Sequence, residues 1–131
     1  MKLKKRLEVY NKYKGRCSYC GTKIEYKAMQ IDHLFPKRFS HHFKNPESRK
    51  YFNLKGDHID SIENLMPSCR RCNHYKRALI LEEFRKLLLT LHERIKSQYI
   101  NKVAIDYGII FINSWDGVFY FEKTSKRKKG Q

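Results

Sequence analysis

Apolar positions recur along the chain with different periods, and the changes of period divide it into segments. Leu3, Leu7, Tyr10 and Tyr13 repeat at near-helical spacing, which predicts a first amphipathic helix over about residues 2–14, ended by Gly15. The segment from about Ile24 to Leu34 has strand character and stops at Pro36. From Lys37 to about Ser61 the chain is polar, basic and irregular, with Pro46 and Gly56 as breakers. Long connections of this kind inside a compact domain are usually functional or mobile. After Cys72 the helical period returns. Leu79, Leu81, Phe84, Leu87, Leu88, Leu91 and Ile95 make one apolar face on a helix of roughly residues 71–100, with a break expected near Ile80. The stretch VAIDYGIIFINSWDGVFYFEK reads as two apolar segments around the turn SWDG, the pattern of a β-hairpin. Residues 1–123 are thus expected to form a single α+β domain, and the basic residues 124–131 a disordered tail.

Composition narrows the partners. A chain of 131 residues suits one domain, and an apolar fraction of 40% supports a modest core. Lys+Arg number 29 against 13 Asp+Glu, a formal charge of +16. Such an imbalance opposes compaction by self-repulsion unless an anion offsets it. Nucleic acid is the favoured partner, and an anionic membrane surface a distant second. No apolar run approaches the ~20 residues needed to span a bilayer. The opening MKLKKRLEVY has neither an apolar h-region nor a small-residue cleavage site, so a cytoplasmic location is expected. In that reducing setting four cysteines point to metal ligation rather than disulfides.

Those cysteines form two matched pairs, Cys17-x-x-Cys20 and Cys69-x-x-Cys72. Two residues between cysteines let both sulfurs turn toward one ion, and two such knuckles close a tetrahedral four-thiolate zinc shell. A closed shell leaves no position for substrate, so this zinc would be structural. The intervening residues 21–68 exceed the ~15–20 of a simple zinc ribbon. The ion would pin the ends of a long excursion.

Two Asp-His pairs lie within it. Asp32-His33 ends the strand-like run and precedes Pro36, whereas Asp57-His58 follows Gly56 in a polar stretch with no strand before it. The second pair has the setting of a surface loop. His41 and His42, in the polar insertion, read as surface residues as well.

In order, CSYCG, IDHLFPK and NLMPSCRRCNHYK resemble the cysteine-bearing branch of the HNH endonucleases, over about residues 16–76. That resemblance implies a ββα-metal core braced by the zinc knuckle, with a flanking N-terminal helix and a C-terminal helix. It implies a metal-dependent endonuclease that hydrolyses DNA, RNA remaining open, and leaves 5′-phosphate and 3′-hydroxyl ends. Carried over, Asp32 ligates a catalytic divalent ion, His33 is the general base, Asn64 positions His33, and Asn73 is the second protein ligand. His74 competes with Asn73. One residue along a helix turns the side chain by ~100°, so the two cannot substitute for each other; the motif register favours Asn73. Oxygen ligands of this kind suit Mg2+ or Mn2+. Arg38, Arg70, Arg71, Lys76 and Arg77 flank the site as phosphate contacts.

Two alternatives stand beside the nuclease. One is a non-catalytic zinc-stabilised module that binds nucleic acid. The other is an effector that depends on a partner protein, which, like a homodimer, could dock on the apolar segment with Trp115, Phe119, Tyr120 and Phe121, unless that segment is core.

Overall fold

The computed structural model describes residues 1–129. Its first helix, α1 (Leu3–Asn11), ends earlier than its apolar spacing suggests, in turns at Lys14 and Gly15, both at positive φ. Gly15 donates its N–H to the carbonyl of Tyr10, and a Cβ there would sit 2.9 Å from the Tyr10 hydroxyl. Glycine is required by both conformation and space. Val9 on the buried face of α1 packs with Met29 and Leu65. Arg6 anchors the helix to the chain ahead of the first strand, donating to the carbonyls of Tyr26 and Met29 at 2.9 Å each.

The strand signal shortens to β1 (Gln30–His33), because Tyr26–Ala28 curls into a 3-10 turn. β1 pairs antiparallel with β2 (Leu65–Ser68), in the register Ile31 opposite Pro67, Asp32 opposite Met66 and His33 opposite Leu65. Ahead of β2 the polar insertion is not irregular. It forms α2 (Ser40–Phe43) and α3 (Pro46–Phe52), the latter capped by Asn45, whose side chain accepts from Glu47 and Ser48. An Asn cap followed by Pro at the first helical position is a helix start. Phe43, Leu54 and Ile59 bury a small core of their own there, joined by Phe35, Phe39 and Phe52.

The long helical run breaks into four: α4 (Arg70–Lys76), α5 (Leu81–Leu89), α6 (Leu91–Lys96) and α7 (Tyr99–Asp106). The first break falls where anticipated. Arg77 takes a positive φ, and Glu83 caps the restart by accepting from the Ile80 N–H at 3.1 Å. α4 packs on β1, so β1, β2 and α4 form a ββα unit within an α+β fold.

The C-terminal hairpin does not form. No strand follows β2 among the described residues, and the extended chain after Gly108 leads into α8 (Tyr120–Lys129). Helix therefore runs through most of the segment expected to be a disordered tail; residues 130–131 lie outside the described residues. Trp115, Phe119 and Phe121 pack on the buried cluster that holds Tyr19 and Phe84. These aromatics are core rather than a docking face. Exposed apolar surface lies elsewhere, at Tyr99, Ile100, Tyr107, Ile109 and Phe111. No helix among the described residues is long and apolar enough to cross a membrane.

Candidate active site and metal centre

The first knuckle is a tight turn in which Gly21 donates to the carbonyl of Cys17 at 2.9 Å. Gly21 has φ of +80°, and a Cβ would approach the Tyr120 ring at 2.8 Å. The second knuckle opens α4, with the Cys69 sulfur accepting from the Cys72 N–H at 3.3 Å. Ser18 docks the two together by donating to the carbonyl of Pro67 in β2. The four sulfurs of Cys17, Cys20, Cys69 and Cys72 then lie within 4.8 Å of one another, all as free cysteines. Sulfurs bound at about 2.3 Å to one tetrahedral zinc are about 3.8 Å apart, and Cys20 and Cys69 are at 3.9 Å. The donor set fits a metal site of zinc type. Hydrogen bonding to Cys17 and Cys20 pushes the Cys72 thiol up, as four sulfurs this close cannot all ionise without a cation between them.

Asp32 and His33, adjacent on β1, reach different partners, as strand alternation dictates. The Asp32 carboxylate is 6% exposed. Its Oδ2 accepts from the Tyr19 hydroxyl at 2.5 Å and from the Lys76 ammonium at 2.9 Å. Lys76 is fully buried and also donates to the His33 carbonyl at 3.1 Å. An ammonium enclosed in this way is not a surface phosphate contact, which corrects its expected role. The signal was present: Lys76 falls one helical turn after Cys72, on the inward side of α4. Desolvation and the Asp32 charge together hold the Tyr19 hydroxyl well above its ordinary pKa.

His33 turns toward the loop before β2, where its Nε2 lies 2.7 Å from Oδ1 of Asp60. Asn64, 1% exposed, ties that loop to the residues after β1. Its Oδ1 accepts from the N–H of Phe35 at 2.9 Å, while Nδ2 donates to the carbonyls of Phe35 at 3.1 Å and Ile59 at 2.8 Å. It touches the backbone two residues beyond His33 rather than the imidazole. Asp57 and His58 are exposed, and their polar groups knit the loop itself: Asp57 accepts from the Ser61 hydroxyl, His58 Nδ1 from the Asp60 N–H. The second Asp-His pair is thus scaffolding, and the residue it delivers, Asp60, went unnoticed in the sequence.

On α4, Asn73 is half-buried and lies one turn from Lys76, whereas His74 is exposed. Arg70, Arg71 and Arg77 are exposed. Arg38 donates to the carbonyl of Ala78 and lies 3.7 Å from Glu83, so it braces the break after α4 as well as facing solvent. His41 is exposed; His42 is half-buried, its ring against Phe39 and Phe52.

Residues 17–78 match the family model described as HNH endonuclease. That span holds both cysteine pairs, Asp32-His33, Asn64 and Asn73. The chain matches no curated protein and no solved structure.

Proposed function

We propose, from the premise that residues 17–78 are an HNH domain, that this chain is a metal-dependent endonuclease hydrolysing DNA phosphodiester bonds. One observation carries the reading: the matched span folds as a ββα unit with His33 at the open end of β1 and Asn73 on the helix against that strand. Zn2+ in the four-cysteine site would be structural, joining the loop before β1 to the start of α4.

Asp32 and Asn73 are the residues that would hold the catalytic ion, Mg2+ or Mn2+. Among the described residues both hydrogen bonds to the Asp32 carboxylate fall on Oδ2, and the Asn73 amide makes none. That leaves two hard oxygen donors, the type these ions prefer. Bound there, the ion would supply charge stabilisation at a phosphate oxygen and the leaving oxygen. His33 takes the proton of the attacking water, the general-base role for which an imidazole nitrogen is suited. Asn64 sets the backbone on which His33 is carried. Arg70, Arg71, Arg77 and the free side of Arg38 hold the phosphate backbone and select position rather than sequence.

A second reading has one observation in its favour. Asp32 is buried and already balanced by Lys76, an arrangement that also suits a zinc-stabilised module that binds nucleic acid without cutting it. Incubating the protein with supercoiled plasmid and Mg2+ or Mn2+ separates the two, with EDTA and His33→Ala as controls and zinc measured on the same samples. Nicking lost in both controls, with about one zinc per chain retained by the variant, is expected. A folded, zinc-loaded wild type that binds but leaves plasmid, single-stranded DNA and RNA intact would overturn the nuclease reading.

A further inference from the structure

The hydrogen bond between His33 and Asp60 has no part in the nuclease reading so far, yet it decides which imidazole nitrogen can accept a proton. Nε2 of His33 lies 2.7 Å from Oδ1 of Asp60, with the imidazole 17% exposed and the carboxylate 48%. Hydrogen bonding from His33 holds the Asp60 carboxyl below its ordinary range, with the His33, His58 and Lys5 charges adding to it. At neutral pH Asp60 is therefore an acceptor only, and in a neutral imidazole Nε2 must carry the hydrogen. Nδ1 then bears the lone pair.

The loop that presents Asp60 is built to hold it. The Asp60 N–H donates to Nδ1 of His58 at 3.1 Å, and the His58 N–H donates to the Ser61 hydroxyl at 3.0 Å. Ile59 is buried beside Phe43 and Leu54, and its carbonyl accepts from Asn64. The loop opens at Gly56 with φ of +87°, where a Cβ would lie 2.5 Å from the Ser61 Cβ. Asn64 thus grips one residue before Asp60 and two after His33 with a single amide. The separation of the pair is fixed by that bridge.

We propose that Asp60 is a positioning residue for His33: its carboxylate fixes the Nε2–H tautomer and the ring orientation, leaving Nδ1 as the nitrogen that takes the proton from water. This rests on the reading of His33 as general base. Nothing is oxidised or reduced. The proton passes from water to Nδ1, and the transient imidazolium is stabilised by the Asp60 charge, which stays ionised.

The test has two arms. The first reads the tautomer of His33 by 15N-resolved NMR of the zinc-loaded protein and needs no activity. A single Nε2–H form is expected in the wild type, and a mixture in Asp60→Ala. The second arm reads steady-state cleavage. Asp60→Ala should lower kcat roughly tenfold to a hundredfold, less than the ~10²–10⁴-fold lost with the base itself, with KM little changed. Asp60→Asn, which keeps a neutral acceptor oxygen, should recover part of the loss.

A wild-type His33 in the Nδ1–H form, or a tautomer unchanged by Asp60→Ala, would overturn the proposal. So would a kcat that ignores both substitutions, or an Mn2+ affinity that falls more than about tenfold by EPR, the mark of a metal-linked role. An inactive wild type whose tautomer is still released by Asp60→Ala would sink the nuclease reading and leave the ring-fixing assignment standing.

Discussion

Lys76, with no exposed surface, places its ammonium 2.9 Å from the carboxylate of Asp32 on the neighbouring strand. A pair this deeply buried offsets two desolvation costs at once, so removing one member strands the other charge. Lys76→Met should destabilise the fold by roughly 3–5 kcal/mol. Changing Asp32→Asn together with Lys76→Met should cost clearly less than the two single losses added. Urea midpoints of the three variants check this. Equal and additive effects would mean that the two charges do not sense each other.

The four cysteines should behave as a unit. They join the loop before β1 to the start of α4, and no disulfide substitutes for them. Structural zinc contributes ~10–16 kcal/mol in small zinc-finger peptides. Chelation, or Cys17→Ser at the buried ligand, should therefore abolish cooperative thermal unfolding and release about one metal ion per chain. Metal analysis beside circular dichroism reads both. Retention of a sharp transition by the metal-free protein would show that the apolar core alone suffices.

Much of this site was legible from local spacing. The cysteine pairs, the Asp-His pair at a strand end and the asparagines each lie in short motifs whose chemistry depends on near neighbours in the chain. What escaped depends on distant ones. Asp60 meets His33 across two loops that the Asn64 amide bridges. The apolar residues after Gly108 have strand composition, but among the described residues they find no partner strand, and Trp115, Phe119 and Phe121 are buried in the aromatic cluster around Tyr19 and Phe84 instead. Tertiary burial there overrides strand propensity. In the insertion, Asn45-Pro46 was a readable helix start, and Phe35, Phe39, Phe43 and Phe52 were a readable small core, hidden by the surrounding charge.

Lys12 gives the fold an alkaline signature. Its ammonium donates to the carbonyls of Ile62 and Leu65 at 2.7 Å each, yet burial lowers its pKa from 10.5 to about 8. The unfolded chain binds the proton more tightly than the folded one, so between these values the unfolded state carries more protons. Stability from this group should thus rise as pH climbs from about 8 to 10.5 and be lost on the way back down. Subtracting the urea stability of Lys12→Met from that of the wild type at each pH isolates the effect. A flat difference across that window would refute it.

The exposed arginines should set salt sensitivity. Arg70, Arg71 and Arg77 stand free on or beside α4, whereas Arg38 is tied to Ala78. Each arginine–phosphate pairing removed should flatten the slope of log affinity against log salt by about 0.9. Arg70→Ala and Arg71→Ala should therefore weaken binding to duplexes of any sequence and flatten that slope, without changing the unfolding midpoint. Arg38→Ala should lower the midpoint as well. Fluorescence anisotropy from low to moderate salt, paired with a melt, tells the two behaviours apart.

The Asn64 amide is the point at which fold and site meet. It is buried and makes three hydrogen bonds, accepting from Phe35 and donating to Phe35 and Ile59. Asn64→Asp keeps the acceptor and loses both donations, so the buried Ile59 carbonyl and the half-buried Phe35 carbonyl are left without this donor while a charge is introduced. An unmet buried polar group costs about 1–3 kcal/mol, so Asn64→Asp should destabilise more than removal of one exposed hydrogen bond would, and Asn64→Ala should do so by a comparable amount. The local consequence is the sharper one. With the bridge gone, amide exchange should accelerate in residues 57–61 and 34–36 together, ahead of the rest of the chain, because one side chain restrains both segments. Cleavage should fall in step with that loosening even at temperatures where the variant remains folded. Faster exchange in only one of the two segments would mean that the loops are held independently, and that the His33–Asp60 distance is not set by Asn64.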